Sequence, residues 1–110
     1  MPKSKVRTIE SVKLTVESVT GRVLVSVAGS VNTGGWRDPQ LADTSNVPND
    51  GNRHFDFVAT EPVGPVIEVI RPIATSRAVQ TSAGRFCVVV HAAANELGPE
   101  CVNVEIGDPI

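Results

Sequence analysis

Apolar and polar side chains alternate along residues 12–18, with Val12, Leu14 and Val16 on one face and Lys13, Thr15 and Glu17 on the other. A period of two is that of a strand with one face buried. Thr20-Gly21 predicts a tight turn, since glycine accepts the positive φ a hairpin needs. The return strand, residues 22–31, sets Val23, Val25, Val27 and Val31 against Leu24, Ser26, Ala28 and Ser30. Gly29 marks a bulge in it. Alternation resumes over residues 53–60, where Phe55, Phe57 and Ala59 oppose His54, Asp56 and Val58. Further strands are predicted at 66–71, ended by Pro72, then at 76–81, at 85–92 as a central strand apolar on both faces, and at 101–106.

Between the first hairpin and the phenylalanine strand, residues 32–52 are dominated by Gly, Pro, Asn and Asp, and neither period survives. They read as one long loop, of a length more often functional than neutral. Seven short strands separated by turn signals predict an all-β chain, a single immunoglobulin-like antiparallel β-sandwich over residues 1–110. A small β-barrel is the alternative.

Composition sharpens this picture. Nineteen Val, eight Thr and six Ile stand against four Leu in 110 residues, and β-branched stems suit a pleated strand better than a helix. A net charge of −2 lacks the basic stripe of a nucleic-acid binder. The longest apolar stretch, Phe86 to Val90, is far too short to cross a membrane. The basic start, Met1 to Arg7, is followed by Thr8-Ile9-Glu10-Ser11 rather than an apolar run, so the chain reads as cytoplasmic, with secretion open if a leader has been removed. Two free thiols are expected. A hairpin of 85–92 with 101–106 leaves Cys87 and Cys101 offset by roughly 13 Å, beyond the ~7 Å that a disulfide spans between Cα atoms.

Candidate chemistry is sparse. No Gly-x-Ser-x-Gly is present, and no histidine has a serine motif beside it, so the chain reads as non-catalytic and free of cofactor. The distinctive segment is Asn32-Thr33-Gly34-Gly35-Trp36-Arg37-Asp38. Its glycines allow a sharp turn that presents a large ring, with Trp36 as anchor of a partner protein and Asn32, Gly34, Gly35, Arg37 and Asp38 around it. The alternative is an indole that folds back and plugs the open end of the core. Hard oxygen donors crowd the long loop at Asp43, Asn46, Asn49, Asp50 and Asn52, but no glutamate stands where a calcium-binding helix–loop–helix needs one.

Two partial resemblances complete the reading. His54, Cys87 and His91 resemble the type 1 copper ligands of cupredoxins, although no Met or Gln follows His91 as axial ligand. Residues i and i+4 of one strand are also about 13 Å apart, too far to share an ion. His54, Asp56 and His91 remain the set for any metal-dependent role. Asn32-Thr33-Gly34-Gly35-Trp36 and Arg71-Pro72-Ile73 partly resemble the first and third loops of chagasin-like cysteine-protease inhibitors, with the glycine-rich middle loop missing. That resemblance implies loop-mediated protease inhibition as the alternative to a binding or structural module.

Overall fold

A computed structural model describes residues 3–17, 20–44 and 51–104. Among them are eight strands and no helix: β1 (Lys3–Lys5), β2 (Thr8–Glu17), β3 (Arg22–Thr33), β4 (Arg37–Asp43), β5 (Arg53–Thr60), β6 (Glu68–Gln80), β7 (Gly84–His91) and β8 (Glu96–Val104). They form two sheets, β2-β3-β6 and a five-stranded sheet in which β5 lies between β4 on one edge and β1 and β7 on the other. β7 continues to β8. The inner faces meet over Val23, Val25, Val27, Val31, Phe55, Phe57, Ala59, Val88 and Val90. The chain is therefore an all-β sandwich of two packed sheets, as the period-two pattern requires.

One ladder departs from the antiparallel expectation. β5 and β7 run parallel, pairing Arg53 with Val88 and Asp56 with His91. The physical reason is the path between them. The chain leaves β5, crosses to the other sheet as the thirteen-residue β6, and returns to β5's edge in the same direction. Parallel neighbours need such a crossover. No ladder joins β2 to β8 or β4 to β6, so the sheets do not close into a barrel.

The first hairpin forms as the alternation predicts. β2 and β3 pair from Thr8–Ser30 to Glu17–Arg22, and the register shifts beside Gly29, although the extra residue is Glu10 on β2 rather than one in β3 where the bulge was expected. The alternation of Phe55 and Phe57 against His54 and Asp56 also holds, although His54 is itself buried. The stretch 32–52 is not one structureless loop. β3 runs on to Thr33, β4 occupies Arg37–Asp43 and pairs with β5, and Leu41 is buried in the core. The strand was hidden because its short period is broken by Asp38, which takes a φ of 51°, and by Pro39. The separate strands 66–71 and 76–81 are one strand, β6, which runs through Pro72. β6 is a sheet edge, where a missing N–H is tolerated.

The thiol expectation is corrected. Cys87 and Cys101 face each other across the β7–β8 ladder and form a disulfide. Two features undo the 13 Å offset. β8 begins at Glu96, so the turn is short, and the register gains one residue on β8 between Val88 and Val90. That extra residue falls at Gly98-Pro99. Gly98 has a φ of 122°, and a Cβ there would stand 2.6 Å from the Val88 carbonyl oxygen. Glycine is needed at this bulge, and the bulge brings Cys101 rather than Glu100 opposite Cys87.

The two seams of the sandwich are closed by side chains. At one, the Asn95 carboxamide accepts from Ile9 N–H at 2.9 Å and donates to Ile9 C=O at 2.9 Å, tying the β7–β8 turn to β2. At the other, Thr75 donates to the Pro39 carbonyl at 2.9 Å, and Arg77 donates to the Leu41 carbonyl at 3.0 Å, tying β6 to β4. Edge groups of the strand backbone are thereby satisfied without a ladder.

Candidate functional site

The predicted segment divides into a ring that supports the fold and a turn that meets solvent. Trp36 is half-buried against the core, and its indole N–H donates to the Thr33 hydroxyl at 2.9 Å. Its position is that of the plug. Asn32, Gly35, Arg37 and Asp38 are exposed and Gly34 is half-buried, with the Asp38 carbonyl accepting from the Lys3 ammonium at 3.1 Å. Gly34 N–H donates to the Ile67 carbonyl at 3.1 Å, which docks this turn on the approach to β6. Gly35, at a φ of 91°, lies so close to Pro62 that a Cβ would come within 2.9 Å of that ring.

Beside this turn lies a surface the sequence reading missed. Val63, Val66, Ile67, Val69 and Ile70 are all exposed, with Ile67 at 74% and Ile70 at 73% of full accessibility. Val63, Val66 and Ile67, with Gly34, Gly35, Pro62, Pro65 and Arg71, border a cleft of about 370 Å³, and Val69 and Ile70 continue the exposed apolar surface along β6. The cause is geometric. β2 pairs with β3 only as far as Ser30, so beyond it β3 and the start of β6 continue as a two-stranded ribbon, with Val31 opposite Arg71 and Thr33 opposite Glu68. A ribbon extended past the sandwich exposes the start of β6 on both faces. The pattern predicts an apolar strand at residues 66–71, and only the register shows where that strand leaves the core.

A second cluster is polar. His54 on β5 and His91 at the end of β7 are 37 residues apart in sequence, and the parallel ladder brings them together. His54 Nδ1 and His91 Nε2 are 2.9 Å apart, and the rings are stacked at 14°. His91 Nδ1 lies 2.8 Å from Glu96 Oε2. Asp56, two residues along β5, accepts from the Thr44 hydroxyl at 2.9 Å and has the Lys5 ammonium at 3.9 Å. The copper-like set fails at its thiolate, because Cys87 is bonded to Cys101. Among the described residues no group of three or more His, Cys, Asp or Glu is arranged to hold a metal ion.

Of the oxygen donors in the former loop, Asp43 is engaged by Arg53 at 2.9 Å and Arg77 at 3.5 Å. The hydrogen bond from Arg53 lowers its carboxyl from the usual carboxylate value; burial opposes this, and the charges of Arg77 and Arg53 reinforce it. Asn46, Asn49 and Asp50 lie outside the described residues. No family model, curated protein or solved structure matches the chain.

Proposed function

We propose that the protein is a non-catalytic binding module that accepts an extended segment of another protein at the start of β6. The observation that carries this reading is the exposed apolar surface from Val63 to Ile70, which runs into the start of β6, a strand whose outer edge has no ladder partner among the described residues. An added strand gains backbone hydrogen bonds from such an edge and side-chain pockets from its apolar faces. At the seams, side chains tie individual edge groups, Asn95 at Ile9, Thr75 at Pro39 and Arg77 at Leu41, and none of these ties falls on the start of β6. The Gly34–Gly35 turn borders the same cleft, so part of the predicted segment belongs to this surface, with Trp36 supporting it from behind.

Both cysteines are joined in the Cys87–Cys101 disulfide. That disulfide supports an oxidising compartment in place of the cytoplasm.

The test uses a labelled peptide that copies residues 64–73 of this chain as the added strand. Fluorescence anisotropy is expected to show saturable binding to the intact protein, lost in Ile67→Lys and Ile70→Lys, whose exposed positions leave the core untouched. No binding, or equal binding by both variants, would sink the reading.

A second reading is favoured by one observation. The two segments that resemble inhibitor loops, around Thr33–Trp36 and Arg71–Ile73, line one small hollow. The second lies within β6, and the first is the short turn between β3 and β4. Papain unaffected by low-micromolar protein would remove it.

A further inference from the structure

The disulfide lies on the five-stranded sheet, whereas the binding surface belongs to the other sheet, so nothing proposed above uses it. Both cysteines are half-buried rather than sealed in the core, and their two sulfurs have different surroundings. We propose that Cys87–Cys101 is a thiol-exchange site with a fixed direction: an external thiolate attacks the Cys101 sulfur, and Cys87 is expelled.

Two independent observations set the direction. The first is a charge. Arg85 and Cys87 share a face of β7, as residues two apart on a strand do, and Arg85 Nε–H donates to Cys87 Sγ at 3.4 Å. A guanidinium does not lose its charge in a protein. It therefore stabilises the negative charge that arrives on Cys87 when the S–S bond breaks, and a better-stabilised thiolate leaves faster. Among the described residues Cys101 Sγ accepts no such hydrogen bond.

The second is access. A thiolate displaces one sulfur of a disulfide from the side opposite the sulfur that leaves, so an open approach on that side decides which sulfur reacts. For Cys101 that side is the margin of β8, an edge strand with no ladder beyond it among the described residues. For Cys87 it is the interior of the sheet, where β7 is flanked by β5. The charge around the bridge does not oppose the approach. Arg85 and Asn103, opposite each other across the ladder, are the next residues on the face that carries the disulfide, one cationic and one neutral. Glu100 alternates to the other face of β8 and pairs with Val88.

The substrate class is a small thiol or dithiol. Its thiolate bonds to Cys101 Sγ, the Cys101–Cys87 bond breaks, and the electron pair of that bond leaves on Cys87 beside Arg85. A monothiol stops at this mixed disulfide on Cys101. A dithiol goes further: its second thiol loses a proton to water, attacks its own sulfur bonded to Cys101, and releases Cys101 as a thiolate that takes up a proton. The dithiol is thereby oxidised to a disulfide, and two electrons reduce the bridge of the protein.

The test adds 2-mercaptoethanol to the full disulfide-bonded chain, stops the reaction early with N-ethylmaleimide, and maps the products by mass spectrometry. Cleavage after glutamate separates the two cysteines, because Glu96 and Glu100 lie between them. The mercaptoethanol adduct is expected on Cys101 and the maleimide on Cys87, a readout that needs no variant. Arg85→Gln, at an exposed position, should slow reduction by dithiothreitol by about two- to fivefold, the reach of an exposed charge pair, and should even out the two adducts. Added salt should slow the wild type more than the variant. An adduct mainly on Cys87 or equal on both, a rate indifferent to the loss of Arg85, or a bridge that reacts only as fast as the chain unfolds would overturn the proposal.

Discussion

The two sheets bury similar inner faces and differ on their outer ones. In β2-β3-β6 the outer positions are mostly small or solvated, with Ser11, Lys13, Ser26, Ala28, Ala74 and Ser76 across three strands. On the outer face of the five-stranded sheet lie His54 and His91, the Lys5–Asp56 pair and the Cys87–Cys101 disulfide. Connectivity explains the contrast. The β2–β3 hairpin joins chain neighbours, whereas β5 is bordered by β1, β4 and β7, drawn from both ends of the chain. Local pairing reproduces the pattern already present in the sequence. Pairing between distant strands brings reactive side chains together that the sequence keeps apart.

If the five-stranded sheet is the denser half of the core, truncating it costs more. Phe57→Ala, at a fully buried site, is expected to lose about 3–5 kcal/mol of stability, against about 2 kcal/mol for Val25→Ala in the other sheet. Denaturant unfolding of both variants checks this, and equal losses would break the comparison. Reducing the disulfide comes next. It closes a loop of fourteen-residue separation, so its loss should cost roughly 3 kcal/mol on the loop-entropy scale. Hydrogen exchange should place the first loosening in β7–β8, with β2–β3 following only at global unfolding. Unreacted thiols in native protein before reduction would contradict the pairing itself.

The smallest effect lies at the seam between the sheets, where Asp43 of β4 meets Arg77 of β6. The lowered carboxyl of Asp43 means the folded chain binds that proton less readily than the unfolded one. Its contribution is therefore present above the ordinary value of 3.8 and is lost as pH falls through the lower folded value. Because the side chain is 60% exposed, solvent screening keeps the gain small. Asp43→Asn should flatten that strongly acidic limb, measured by thermal melts across pH.

Much of the strand content was legible because burial on one face of a strand leaves a period of two. Val23, Val25 and Val27, and likewise Phe55 and Phe57, declare their faces without any knowledge of partners. β4 escaped notice because a left-handed Asp38 and a proline disguise seven residues that pair with β5. The disulfide escaped because a one-residue bulge changed the register, and bulges leave only a faint mark such as Gly98. At the candidate site, Gly34 and Gly35 were found from composition, while Val66 to Ile70 were assigned to a strand whose exposure depends on where β2 stops.

Alone, the sequence determined that the chain forms strands, which faces of the clearest ones are apolar, and that the first two pair. Those properties depend on neighbours within a few residues. Tertiary structure decided the parallel β5–β7 ladder, the partner of each cysteine, the contact of His54 with His91 and the bare start of β6. Each is set by register between strands far apart in the chain, and a shift of one residue would exchange the faces and undo it.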